Sequence, residues 1–159
     1  MFKPIHLNRS FYLAIALFSI CLIGSGCSKK KLKTNSVIGK VFVDGKPAKG
    51  AQVTFMPVSN KDSKASAPTG VVAEDGTFKL STYSEGDGAP AGEYTVLVSW
   101  SEVDPKTKSE RPLVPGRYHN PKESDLHVTI NAGDNQLAAF ELPSMEKEML
   151  SIARQKRRE

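Results

Sequence analysis

Hydrophobic and polar positions follow two regimes along the chain. From Phe11 to Ile23 a run of 13 residues is apolar except for Ser19. From Ser36 onward, short stretches alternate apolar and polar residues between turn signals, the period of half-buried strands. In "VFVDGKPAKGAQVTF" (41–55), Asp44-Gly45 supplies the positive-φ chemistry of a tight turn and Pro47 discourages helix. Val53 and Phe55 then alternate with Gln52 and Thr54. In "AEDGTFKL" (73–80), Asp75-Gly76 reads as a hairpin turn with Phe78 and Leu80 inward and Thr77 and Lys79 outward. "APAGEYTVLVSW" (89–100) is the strongest strand pattern, placing Tyr94, Val96, Val98 and Trp100 on one face. "LHVTINAGDNQLAAFEL" (126–142) predicts two strands folded over Ala132–Asn135. Leu126, Val128 and Ile130 line one of them, with Phe140 and Leu142 on the partner.

These runs amount to six or seven strands, and no helical pattern within 36–142 is available to cover an apolar sheet face. Two packed antiparallel sheets are the economical solution. After Pro143 the period changes. Ser144 suits a helix cap, Met145, Met149 and Ile152 recur at helical spacing, and Arg154, Lys156, Arg157 and Arg158 complement the negative end of the helix dipole. Four turns are marginal in isolation. Docking on the sandwich, contact with anionic lipid, a protein partner and a fraying soluble tail all stay open.

Charge placement changes the first impression of a basic protein. The formal charge is +5, yet residues 36–142 carry 11 Lys/Arg against 14 Asp/Glu. The excess lies in Lys3 and Arg9, in Lys29–Lys33 and in the final "RQKRRE", so no basic face for nucleic acid is expected on the folded body.

The opening segment has the form of an export signal. Lys3 and Arg9 give a positive start, and the 13-residue apolar stretch is too short to span a bilayer, which takes about 20 residues. Gly24-Ser25-Gly26-Cys27 follows. The arrangement resembles the bacterial lipobox, whose cysteine is acylated and becomes the mature N-terminus, although Gly24 stands where that pattern prefers Leu. Cys21, inside the apolar run, is the poorer candidate. On this resemblance 1–26 is a signal peptide and 27–35 a lipidated basic tether. The acyl chains on Cys27 supply membrane attachment, and Lys29–Lys33 either add attraction to anionic head groups or serve as a plain tether. Only two cysteines exist, so cleavage before Cys27 and its acylation leave no disulfide. Ser28 resembles the outer-membrane routing pattern in a two-membrane bacterium, facing the periplasm.

"GKVFVDGKPAKGAQVTF", "AEDGTFKL" and "PAGEYTVLVSW", in this order, resemble the carboxypeptidase-regulatory-like, transthyretin-related domain. With the lipobox, the whole resembles small bacterial lipoproteins of undefined role. The resemblance implies a seven-stranded (six to seven) antiparallel Greek-key β-sandwich, prealbumin-like, over 36–142, followed by a basic C-terminal helix or tail over 143–159. It implies little about activity, since one sandwich hosts many roles.

No catalytic residue is expected. The related hydroxyisourate hydrolases end in a Tyr-Arg-Gly-Ser signature that is absent here; the nearest string is Gly116-Arg117-Tyr118-His119, in another order. His6 belongs to the signal and His127 alternates outward, which leaves His119 alone in a loop, without a second imidazole or cysteine for a metal set. No cofactor or metal is expected. By analogy with adhesin sandwiches, Lys40, Asn135 and Glu93 are candidates for an isopeptide bond, a solvated Lys40 being the plain alternative. The connection Ser101–Lys122 is long, stiffened by four prolines, and carries Arg117, Tyr118 and His119 beside Trp100. These four residues are the candidate binding set, a plain connector being the other reading. The expected function is a non-catalytic, lipid-anchored structural or protein-interaction module of the cell envelope, with carbohydrate or peptide recognition through Trp100 and the 101–122 loop as the alternative.

Overall fold

The computed structural model describes residues 31–59 and 66–158. The expected signal segment, Cys21, Cys27 and residues 60–65 lie outside the described residues. The strands are β1 (Thr34–Asn35), β2 (Val37–Val43), β3 (Lys46–Pro47), β4 (Gln52–Pro57), β5 (Thr69–Val71), β6 (Thr77–Lys79), β7 (Ala89–Pro90), β8 (Gly92–Ser99), β9 (Ser101–Val103), β10 (Glu110–Pro112), β11 (His127–Ile130), β12 (Asn135–Gln136) and β13 (Phe140–Leu142). A 3₁₀ turn spans Gly116–His119, and a single described α-helix, α1, spans Met145–Lys156.

Strand alternation sorts these segments into two layers. One sheet runs β11-β8-β4-β5, all antiparallel. The other is built on β2, flanked by β3 and β6 on one side and by β12 and then β13 on the other. Val37, Val41 and Val43 of β2, Phe78 and Leu80 at β6, and Phe140 and Leu142 of β13 face Val53, Phe55, Val96, Val98 and Ile130 of the opposite sheet in one buried core. Phe55 meets Phe78 edge-on across it, with ring centroids 6.3 Å apart. Burying these side chains contributes roughly 1.5–3 kcal/mol each. The inward faces agree with the sequence pattern at Val53, Phe55, Phe78, Leu80, Val96, Val98, Ile130, Phe140 and Leu142.

Two expectations are corrected. The sheet built on β2 is not purely antiparallel, because β12 and β13 both pair with β2 in parallel, Asn135 opposite Val37 and Phe140 opposite Val41. The two segments of 126–142 are likewise not partners: β11 joins β8 in one sheet and β13 joins β2 in the other. The 131–135 turn is therefore a crossover between layers, fixed by Asn135, whose Oδ1 accepts from Asn131 N and whose Nδ2 donates to the Asn131 and Gly133 carbonyls. Alternation alone shows which way a side chain faces; it does not say which sheet a strand joins.

Local chemistry explains the corners. Asp44 and Gly45 both take positive φ, 51° and 75°, closing the β2–β3 hairpin as a primed turn. At Asp75-Gly76 the turn forms, with Ala73 N donating to Thr77 O and Asp75 Oδ1 accepting from Thr77 N. The strands it joins then diverge into different sheets, bridged only at Thr69–Ser81. In the loop 81–88 the Asp87 carboxylate accepts from the backbone N–H groups of Thr82, Tyr83 and Ser84, which delivers the chain to Gly88. A Cβ on Gly88, at φ 83°, would fall onto the Asn35 carbonyl, so β1 and β7 approach as closely as they do only because that position is glycine.

The sandwich has two distinct ends. The chain comes in at one, where Thr34 pairs with Pro90 and the buried Asn35 accepts from Gly133 N. It goes out at the other, where Asp44 N bonds to Leu142 O and Gly50 N to Val72 O. From there α1 begins, capped by Ser144 Oγ, which accepts from Lys147 N. The cap and the basic last turn match the sequence expectation; the acidic first turn, Glu146 and Glu148, is an addition.

Candidate functional site

The 101–122 segment was expected as one long connection; it is an ordered hairpin and a returning arm. β9 and β10 pair through Ser101–Pro112 as a ribbon exposed on all six strand residues, with Arg111 bonded to Glu102 at 2.8 Å. At its tip Asp104 Oδ1 accepts from Thr107 N and Lys106 N, which holds that carboxyl below the usual aspartate range. Pattern reading missed the ribbon because Val103 is its only large apolar residue and Pro112 reads as a breaker.

The returning arm, 113–124, is pinned to the edge of the body. Leu113 N donates to Trp100 O, and Leu113 O accepts from Met145 N, the first residue of α1. Val114 is fully buried, and Ser124 Oγ donates to Val96 O at 2.6 Å. Between these pins the 3₁₀ turn drives Tyr118 inward until it is 4% exposed.

The four candidate binding residues are thereby placed. Tyr118 is corrected from a loop recognition residue to a core residue. Arg117 lies against the Tyr118 ring, 4.7 Å from its centroid, donates through Nη2 to the Tyr118 hydroxyl and pairs with Glu148 of α1. The bond to Tyr118, followed by that to Glu148, raises its pKa against the opposing effect of burial. Trp100 is half-buried, its Nε1 donating to Lys49 O at 3.1 Å. His119 stays exposed. The structure brings Arg117 and Tyr118 together with α1, a seat for the helix rather than an open recognition surface.

The open concavities lie elsewhere. A groove of about 480 Å³ follows the seam where β5 and β6 part, lined among others by Gln52, Thr69, Val71, Thr77, Lys79 and Ser81. A second, about 360 Å³, occupies the hollow of the ribbon among Glu102, Asp104, Pro105, Ser109 and Arg111. None of the four sequence candidates lines either. The seam groove was legible only in hindsight, from Gly70, where a Cβ would sit 2.7 Å from the Lys79 carbonyl.

Among the described residues no three His, Cys, Asp or Glu side chains gather as a metal cluster. The isopeptide trio is not assembled: Lys40 is exposed on β2, Glu93 is exposed on β8 of the other sheet, and Asn135 spends its carboxamide on the crossover turn. His127 faces outward as expected, 3.4 Å from Thr95 Oγ1. Among the described residues no helix is long and apolar enough to cross a membrane.

Comparison with known proteins adds little. No family model matches the chain, and no curated protein matches it. Solved structures with partial likeness include DUF3823 family proteins from Bacteroides ovatus, at 12% identity over 69% of this chain and 44% of that one with a TM-score of 0.38, and from Parabacteroides merdae, at 13% over 72% and 47% with a TM-score of 0.35. A 9R-lipoxygenase from Cyanothece aligns at 10% identity over 86% of this chain and 21% of its own, with a TM-score of 0.37. The chain spans less than half the length of each of these proteins.

Proposed function

We propose that the chain is a non-catalytic, lipid-anchored module of the bacterial cell envelope, exported by residues 1–26 and acylated at Cys27. Its prealbumin-like, Greek-key sandwich is held at the periplasmic face of, by the Ser28 pattern, the outer membrane. The observation that carries this reading is the polarity of the fold: the chain comes in beside β1 and β7 and goes out at the opposite end into α1. A body of that shape suits a spacer that holds one terminus at a surface and presents the other. Two of the four candidate side chains, Arg117 and Tyr118, are spent on seating α1, which favours a structural or protein-interaction role over the alternative of carbohydrate or peptide recognition. Trp100 and His119 are what remains for that alternative.

Acylation is tested by growing cells expressing the full chain on radiolabelled palmitate and measuring the intact mass of the product. The expected result is label and a diacylglyceryl mass on a chain beginning at Cys27, both lost in Cys27→Ala. An unlabelled chain that keeps its first 26 residues sinks the reading. Crosslinking the tagged protein in cells and identifying its neighbours by mass spectrometry then separates the two roles: reproducible envelope proteins support an interaction module, glycan adducts at Trp100 the alternative.

A further inference from the structure

The helix α1 carries an apolar face that nothing in the described structure covers. Met145, Met149 and Ile152 recur at i, i+4 and i+7, with Leu150 beside them, and no residue of the helix is buried. Met149 is 62% exposed, and Leu150 and Ile152 are 54% exposed each. Charge along the helix is segregated. Glu146 and Glu148 sit in the first turn, where Glu148 is paired with Arg117 and Lys147 with Asp44, while Arg154, Lys156, Arg157 and Arg158 crowd the far end. Only the first turn is thus tied to the body, and the free half is both apolar and cationic.

We propose that this half of α1 is a reversible attachment to an anionic lipid surface. The charge fits that occupant, because four cations close together in the chain are drawn to acidic head groups while the three exposed apolar side chains enter the boundary beneath them. A second copy fits less well. Its net negative body attracts the cations, but its other exposed large apolar residues, Leu32, Val58, Val71 and Val103, lie on separate segments.

The test uses residues 31–159, which form a compact unit containing the whole described core, and so does not depend on acylation of Cys27. Vesicles of phosphatidylglycerol and phosphatidylcholine are compared with vesicles of phosphatidylcholine alone by flotation at low salt. At least tenfold more protein is expected on the anionic vesicles, falling as ionic strength shortens the range of attraction. Met149→Glu/Ile152→Glu and Arg154→Gln/Lys156→Gln/Arg157→Gln/Arg158→Gln should each lower binding tenfold or more while near-ultraviolet dichroism of the sandwich stays unchanged. Equal binding to both vesicle types, no binding to either, insensitivity to both variants, or self-association lost in the same variants overturns the proposal. A failure here leaves the acylation of Cys27 standing, since palmitate labelling reads that separately.

Discussion

Phe78 lies over Gly39, its β2 partner, and stacks on Phe140 with ring centroids 6.3 Å apart. A Cβ on Gly39 would stand 2.6 Å from Phe78 Cε1, and the ring cannot swing away without leaving the stack or entering Phe55. Gly39→Ala is therefore an overpacking substitution, expected to cost about 1–3 kcal/mol despite the better strand propensity of alanine. A urea titration should show a lower midpoint with an unchanged slope; an unaltered midpoint would mean that the core has slack the packing does not show. The inward residues of β4, β6 and β8 were legible because a sheet with one buried face writes its period into the sequence. Gly39 was not, since a glycine in an alternating run looks the same whether it faces water or an aromatic ring. Tyr118 misled for a related reason: its neighbours Arg117 and His119 are polar, and only the 3₁₀ turn rotates it inward.

At the scale of elements, the helix at 145–156 was readable from its cap and spacing, and the structure adds how it is seated. Asp44 closes the β2–β3 turn and also reaches the helix start, accepting from Ser144 N and facing Lys147 Nζ at 3.5 Å. Hydrogen bonding to Ser144, with help from Lys147, holds its carboxyl below the ordinary aspartate range. A folded-state pKa below the unfolded value means a stabilising contribution that is complete above the unfolded value, near pH ~3.9, and lost as pH falls through the folded one. The stability gap between wild type and Asp44→Asn is thus expected to be present at pH 6 and to close towards pH 2, as followed by urea midpoints at each pH. A gap that persists at pH 2 would assign it to something other than the charge. The partly buried Arg117–Glu148 pair contributes about 1 kcal/mol to that seat. None of this could be read from sequence, because Asp44, Arg117 and Glu148 are brought together from three separate segments.

Taken as a whole, the molecule is closed by its own ends: the first long strand is flanked by the last one, Val41 beside Phe140 and Val43 beside Leu142. The sequence showed both strands and hid their adjacency, since a parallel pairing across about a hundred residues leaves no local mark. A chain ending at Ala139 keeps every other strand yet strips β2 of this partner and removes two core side chains, so it should lose cooperative unfolding. One ending at Pro143 keeps the sandwich intact and should unfold as sharply as the full chain, given that no α1 residue is buried. Comparable unfolding by both would show that β13 is dispensable. The same closure sets a schedule. A chain that emerges from ribosome or translocon N-terminus first cannot complete its second layer until residue 142 is free, because the strand made earliest waits for the one made last. Everything up to residue 142 must therefore emerge unlatched, and the latch falls only once that stretch is clear.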